Sequence, residues 1–188
     1  MPEDFSPRDQ PARSLLVTGG ARSGKTAFAQ ACAEASRHGL LFIATAQAHD
    51  SEMARRIALH RAARGTRWTL LEEPLDLVRA LEGEARSDRL LLVDCLTLWL
   101  SNIMLAGSDP ARETAALAAA LPELAGSVIF VTNEVGSGIV PDNRLARDFR
   151  DVQGRLNQTM AAACDAAVLV AAGLPLVLKP TRQPLPRL

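Results

Sequence analysis

At 188 residues the chain has the length of one ordinary domain, enough to bury a single substantial core and too short for a second full one. Its 21 Lys and Arg balance its 21 Asp and Glu, so no overall charge marks a nucleic acid or an anionic membrane as partner. Cys32, Cys95 and Cys164 stand far apart with no C-x-x-C pair, which argues against a disulfide framework or a zinc site and fits reduced thiols in a core.

Residues 1–13 carry Pro2, Pro7 and Pro11 among charges, without an apolar h-region, and read as a disordered leader rather than a signal peptide. The first strand is expected over Ser14 to Thr18. Directly behind it, Gly19-Gly20-Ala21-Arg22-Ser23-Gly24-Lys25-Thr26 match the phosphate-loop pattern G-x-x-x-x-G-K-[ST]. A buried strand that ends in a Gly-rich turn and opens a helix, here Thr26 to Ala35, aims consecutive backbone N–H groups at one point. A nucleoside triphosphate tail is the expected occupant. Gly19 and Gly24 permit backbone angles and close approach that a Cβ blocks. Lys25 would reach the β- and γ-phosphates, the Thr26 hydroxyl would ligate Mg²⁺, and the helix would add its positive N-terminal end.

His38, beside Gly39, suits a helix cap or a surface position. A strand over Leu40 to Ala44 leads into Thr45-Ala46-Gln47, and His49 follows in a polar loop. On the helix expected over Ser51 to Ala63, His60 shares the inward stripe with Met53 and Ile57, and Arg56 and Arg64 are its i−4 and i+4 neighbours. Guanidinium groups so placed disfavour the imidazolium. His60 is then either a neutral nucleophile in a phosphate-binding pocket or a packed helix histidine among solvated arginines, and spacing leaves both open.

A helix is expected over Leu75 to Leu81 and a strand over Leu90 to Asp94, four apolar residues closed by an acid. Asp94 is placed either to hold Mg²⁺ through Thr26 and water or to cap the helix expected over Leu96 to Leu105. A further helix over Arg112 to Leu121 and a strand over Val128 to Thr132 precede Asn133-Glu134-Val135-Gly136-Ser137-Gly138 and Pro141-Asp142-Asn143-Arg144, which form either a loop over an active site or a surface turn. The helix over Leu145 to Ala163 gains a basic side from Arg144, Arg147, Arg150 and Arg155, able to meet a substrate phosphate or to remain solvated. Strands over Ala167 to Ala171 and Leu176 to Leu178 lead to a Pro-rich tail at 180–188. No apolar run approaches the roughly 20 residues needed to span a bilayer, so a soluble, cytoplasmic protein is expected.

Short apolar runs alternating with amphipathic ones indicate an α/β fold with a mostly parallel central sheet flanked by helices. Residues 14–179 would form one P-loop nucleotide-binding catalytic domain. In such sheets ligands gather outside the carboxyl ends of the strands, where the polar segments noted above cluster.

From about Leu15 to Lys179 the chain resembles the bifunctional adenosylcobinamide kinase and adenosylcobinamide-phosphate guanylyltransferase family of cobalamin synthesis. The resemblance is carried by Val17 to Thr26, Phe42-Ile43-Ala44-Thr45-Ala46, Glu52 to Ile57 followed by His60, Val131 to Pro141, Asn143-Arg144-Leu145-Ala146-Arg147 and Gly154-Arg155-Leu156-Asn157-Gln158. It implies phosphorylation of adenosylcobinamide by ATP or GTP, then transfer of GMP from GTP to adenosylcobinamide phosphate through a GMP-histidine intermediate. By the same resemblance His60 is that histidine and Gly19 to Thr26 hold the triphosphate. Ala44, Thr45, Ala46, Arg61, Ala62, Ala63 and Arg64 would contact the nucleotide, with Glu72 and Asp94 completing its site. A RecA-like fold and assembly as a homotrimer are also implied. Two rivals share the phosphate loop. A GTPase switch would read guanine with N-K-x-D, but no Asn here precedes Lys, and Asp151-Val152-Gln153-Gly154 falls inside an expected helix. A different small-molecule kinase would leave His60 structural.

Overall fold

The computed structural model describes residues 12–47 and 67–180. The helix expected over Ser51 to Ala63, with His60 and the segment Arg61 to Arg64, lies outside the described residues, as do His49, the leader up to residue 11 and the tail from 181.

The elements in chain order are β1 (Ser14–Thr18), α1 (Lys25–Glu34), β2 (Gly39–Ala44), β3 (Trp68–Glu72), α2 (Leu77–Glu84), β4 (Arg89–Asp94), α3 (Leu96–Leu105), α4 (Pro110–Ala120), β5 (Ser127–Val131), α5 (Arg144–Ala163), β6 (Ala166–Ala171) and β7 (Leu174–Lys179). The strands form one sheet in the order β3-β2-β4-β5-β1-β6-β7, parallel throughout except for β7. β1 therefore sits inside the sheet, between β5 and β6. Strand β3 escapes the periodicity of the sequence because it is the edge. Trp68-Thr69-Leu70-Leu71-Glu72 pairs only with β2, is nowhere fully buried, and needs no continuous apolar run.

Alternation along the inner strands feeds two cores. Leu16, Leu91, Val93 and Phe130 face α2 to α5, where Leu77, Leu81, Trp99, Leu100, Leu117 and Met160 complete the packing. Val17, Leu90, Leu92 and Val131 face the other way, onto Ala29 and Ala33 of α1. Those two alanines are wholly buried, and their small side chains let α1 lie close against the sheet. Helix starts follow local chemistry. Asp76 accepts from the Arg79 amide and sets α2 two residues later than its apolar run suggests, and Asp109 caps α4 ahead of Pro110.

Pairing register brings distant segments into one row. Glu72 stands opposite Ala44, Ala44 opposite Asp94, Asp94 opposite Val131, and Val131 opposite Val17. The carboxyl ends of five strands thus share one edge, and every loop that leaves that edge can reach a common ligand. The β6–β7 hairpin closes the opposite flank through Ala172 and Gly173, both at positive φ (52° and 80°), as a tight hairpin turn demands.

Candidate active site

The phosphate loop leaves β1 in a shape only its glycines allow. A Cβ on Gly19 would lie 2.5 Å from both Ser23 Oγ and the Val170 carbonyl oxygen. Gly24 adopts φ 94°, and a Cβ there would lie 3.2 Å from the Gly173 Cα. The hairpin turn braces the loop directly, since the Gly173 amide donates to the Ser23 carbonyl at 2.8 Å. Gly24 is also the N-cap of α1 and has no side chain with which to cap it. The orphan amides of the first helical turn are left for a ligand that accepts hydrogen bonds and carries negative charge.

Two further polar atoms at this loop, Thr18 Oγ1 and Ser23 Oγ, are buried with no hydrogen-bond partner among the described residues. Each such orphan costs about 1–3 kcal/mol. Lys25 is buried at the start of α1 and donates from Nζ to the Gly20 carbonyl at 3.0 Å. Burial pushes its ammonium below the ordinary lysine range, while Cys95 and Asp94 act in the opposite direction. The Cys95 thiol is itself pushed up to about 11 by burial and stays neutral near pH 7, so Asp94 is the effective counter-charge. Cys164, pushed up to about 12 by burial, is likewise an inert core thiol.

Asp94 ends β4 half-buried, and the N-cap position of α3 belongs to Cys95, not to Asp94. No group of three or more His, Cys, Asp or Glu among the described residues could hold a metal unaided. Thr26 at the start of α1 and Asp94 at the end of β4 are the one or two protein oxygens that would suit Mg²⁺, a cation that completes its shell with water and substrate phosphates.

At the end of β2, Thr45 is fully buried and knotted to β4. Its Oγ1 donates to the Cys95 carbonyl at 2.7 Å and accepts from the Cys95 amide at 2.9 Å. Asn102 of α3 donates to the Thr45 carbonyl at 2.8 Å and to the Pro74 carbonyl at 3.1 Å. Ala44 and Ala46 remain half-buried beside this knot, and Glu72 is exposed at the end of β3. His38 precedes β2, at the opposite edge of the sheet from the phosphate loop.

The loop after β5 is fastened to its surroundings. The Glu134 amide donates to the Gly19 carbonyl at 3.0 Å, and the Asn133 amide donates to Thr97 Oγ1 at 2.9 Å. Behind it lies a network of side chains. Thr132 Oγ1 donates to Asn157 Oδ1 at 2.7 Å, Gln153 Nε2 donates to Thr132 Oγ1 at 3.0 Å and to Asn157 Oδ1 at 2.9 Å, and Asn157 Nδ2 donates to the Asn133 carbonyl at 3.0 Å. Gln153 and Asn102 went unnoticed in the sequence. Their signal is a polar side chain on an otherwise apolar buried stripe, Gln153 between Phe149 and Leu156 and Asn102 between Leu100 and Ile103. Three of the four arginines on the basic side of α5 are engaged by their own neighbours: Arg144 pairs with Asp148 at 3.5 Å, Arg150 with Asp151 at 3.4 Å, and Arg147 donates to the Pro141 and Asp142 carbonyls at 2.9 and 2.6 Å, while Arg155 is exposed. Asp151-Val152-Gln153-Gly154 lies inside α5, as a helix there requires.

Comparison with known proteins agrees with this arrangement. Residues 15–178 match the family model described as cobinamide kinase / cobinamide phosphate guanyltransferase. The chain is 50% identical over 167 residues to the bifunctional adenosylcobalamin biosynthesis protein CobP of Pseudomonas aeruginosa, covering 87% of this chain and 96% of the relative. It is 39% identical over 180 residues to the bifunctional adenosylcobalamin biosynthesis protein CobU of Salmonella typhimurium, covering 88% and 99%. Among solved structures, an ATPase from the type III secretion system of pathogenic bacteria superposes with a TM-score of 0.55 at 12% identity, over 88% of this chain and 56% of that one, a likeness of fold alone. The glycine-shaped phosphate loop, the P-loop NTPase sheet and the match along nearly all of the described domain place this chain in the cobinamide kinase / cobinamide phosphate guanyltransferase family.

Proposed function

We propose that the chain performs both of the family's reactions with one nucleotide site. In the first, the hydroxyl oxygen of adenosylcobinamide attacks the γ-phosphorus of ATP or GTP, the β–γ bridging bond breaks to release the nucleoside diphosphate, and the hydroxyl proton passes to solvent. The protein contributes positioning and charge, with no covalent work. The amides of the first turn of α1 and Lys25 hold the triphosphate. Mg²⁺, held by Thr26 and through water by Asp94, would neutralise the charge developing on the phosphate oxygens.

In the second reaction a neutral His60 attacks the α-phosphorus of GTP, the α–β bridging bond breaks and pyrophosphate leaves. A phosphate oxygen of adenosylcobinamide phosphate then displaces the histidine, giving adenosylcobinamide-GDP and free His60. One observation carries the nucleotide part of this reading. The uncapped N-terminus of α1 and Lys25 follow directly on the glycine-shaped loop at the end of β1, and Asp94 lies close enough to act on the Lys25 charge. Roughly four strand spacings, about 19 Å, separate β1 from Glu72 on β3, a span that an extended nucleotide with its base towards β2 and β3 would use. Ala44 and Ala46 lie along that path, and Arg61 to Arg64 are assigned to the nucleotide on resemblance.

The reading extends to assembly and place. Leu174, Leu176, Val177 and Leu178 of the edge strand β7 are exposed apolar residues, a surface suited to a homotrimer contact. Free thiols and the absence, among the described residues, of a helix long and apolar enough to cross a membrane support action in the cytoplasm. The test is mass spectrometry after incubation with GTP and Mg²⁺. One added GMP, labile to acid and stable to alkali as a phosphoramidate is, is the expected result. A protein that gains no mass with GTP and Mg²⁺ present, yet phosphorylates cobinamide, would reduce the assignment to a kinase.

A further inference from the structure

The loop between β5 and α5 leaves the sheet between the phosphate loop and Asp94, because β5 lies between β1 and β4. Both of its feet are tied to one helix. At the start, Asn157 holds the Asn133 carbonyl and, with Gln153, holds Thr132. At the end, Arg147 holds the Pro141 and Asp142 carbonyls, and Asn143 caps the same helix through the Ala146 amide. Glu134 spends its carboxylate inside the loop, on the Gly136 amide at 2.8 Å. Beside exposed Ser137 and two glycines, the tip offers aliphatic side chains outward. Ile139 is 97% exposed and Val140 57%, and Leu145 in the first turn of α5 is 71% exposed. A folded domain that holds adjacent aliphatic side chains in water on a loop leaving its candidate site gives up the stabilisation their burial would bring, about 1.5–3 kcal/mol each, unless a ligand covers them.

We propose that Ile139 and Val140, at the tip of this pinned loop, form the contact surface for the acceptor, the apolar face of the corrin ring of adenosylcobinamide. The inference rests on the functional reading above and assigns a part of the site that the nucleotide does not use. The two substrates divide the edge of the sheet by chemistry. The triphosphate needs amides and a cation and takes the phosphate loop, whereas a broad, methyl-fringed macrocycle needs aliphatic surface within reach of the γ-phosphate. A fixed platform orients the ring and so brings its aminopropanol hydroxyl to the phosphorus, the kind of positioning on which phosphoryl transfer depends. Of apolar β7 only Leu174, next to Gly173, comes near the phosphate loop, and Leu176, Val177 and Leu178 run away from it along the far flank of β6.

The test is equilibrium dialysis of adenosylcobinamide, followed by its visible absorbance, against the full-length enzyme with Mg²⁺ and a non-hydrolysable GTP analogue. The double variant Ile139→Ser/Val140→Ser should raise the corrinoid Kd about tenfold or more. Its affinity for the nucleotide analogue and its Tm should stay at wild-type values, and the conservative pair Ile139→Val/Val140→Ile should restore corrinoid binding. An unchanged corrinoid Kd in the serine variant overturns the proposal. So does dissociation of that variant into smaller species in sedimentation, which would make the tip a contact between copies of the chain. A wild type that binds the corrinoid tightly but never phosphorylates it would contradict the functional reading alone, since the binding comparison stands without turnover.

Discussion

The phosphate loop and the loop after β5 leave adjacent strands at the same edge of the sheet, and they are made rigid in opposite ways. The first is shaped by backbone: Gly19 where no Cβ fits, Gly24 at positive φ, and the bare N-terminus of α1. The second is shaped by side chains that arrive from elsewhere, Asn157 and Gln153 from α5 and Thr97 from α3. A backbone-built loop presents amides and so suits an anion. A loop whose two ends are fastened by polar groups presents at its tip the aliphatic Ile139 and Val140. The difference in construction thus predicts a difference in ligand.

Substitutions can break that comparison one side at a time. The largest effect is expected from Lys25→Ala, which removes the cation of the backbone-built loop. Loss of such an electrostatic contact costs on the order of 3 kcal/mol or more in the barrier, about a hundredfold or more in rate, for both phosphoryl and guanylyl transfer. Steady-state kinetics near the wild-type rate would remove the phosphate-loop assignment. Asp94→Asn should raise the Mg²⁺ concentration for half-maximal rate, by about tenfold to a hundredfold if the carboxylate holds the metal through water. A titration curve unchanged in midpoint would deny Asp94 that role.

On the other side, Asn157→Leu takes the donor from the Asn133 carbonyl and the acceptor from the Thr132 hydroxyl proton and one Gln153 amide proton, while Gln153 still donates to Thr132. A stability loss of about 2 kcal/mol is expected from denaturant unfolding. Corrinoid binding should weaken while nucleotide binding holds. Equal weakening of both ligands would show that the two loops do not act separately. The smallest effect lies far from either loop, at the amino ends of the strands. Burial disfavours the Asp165 carboxylate, but hydrogen bonds from the Ser14 hydroxyl and the Arg13 and Ser14 amides outweigh it and hold the group below the usual carboxylate range. A depressed carboxylate stabilises the fold above the unfolded value of about 3.9, and that contribution is lost as pH falls through the folded value. Asp165→Asn should therefore show a slightly flatter decline of Tm below about pH 4; a decline as steep as the wild type's would assign acid sensitivity to other groups.

The same contrast explains what could be read from the chain alone. Backbone-built features advertise themselves locally: an apolar strand, a glycine pattern and a Lys-Thr pair fix β1, the phosphate loop and α1 within a few residues, and the apolar run from Leu96 to Leu105 coincides with α3. Side-chain networks are not local. Gln153 and Asn157 meet Thr132 across more than 20 residues of chain, a proximity that only the packing of α5 on the sheet creates. Strand β3 was hidden for a third reason, its edge position, and β7 was shortened because Pro175 breaks the pattern of a central strand while an edge strand tolerates it. Pairing register sets Ala44 beside Asp94 and Glu72 one strand further along the same row, a placement to which the sequence points only by resemblance.

The central claim is that one nucleotide site serves two chemistries, of which only the second needs a protein nucleophile. The most direct measurement is a paired assay of His60→Ala. GTP labelled at the γ-phosphate would follow transfer to adenosylcobinamide, and GTP labelled at the α-phosphate would follow both the protein adduct and adenosylcobinamide-GDP. Phosphorylation should continue at a rate close to wild type, since it draws on the phosphate loop, Lys25 and Mg²⁺ alone, while the α-label should reach neither the protein nor the corrinoid. An α-labelled adduct that persists in His60→Ala, or guanylyl transfer that survives there, would contradict the account.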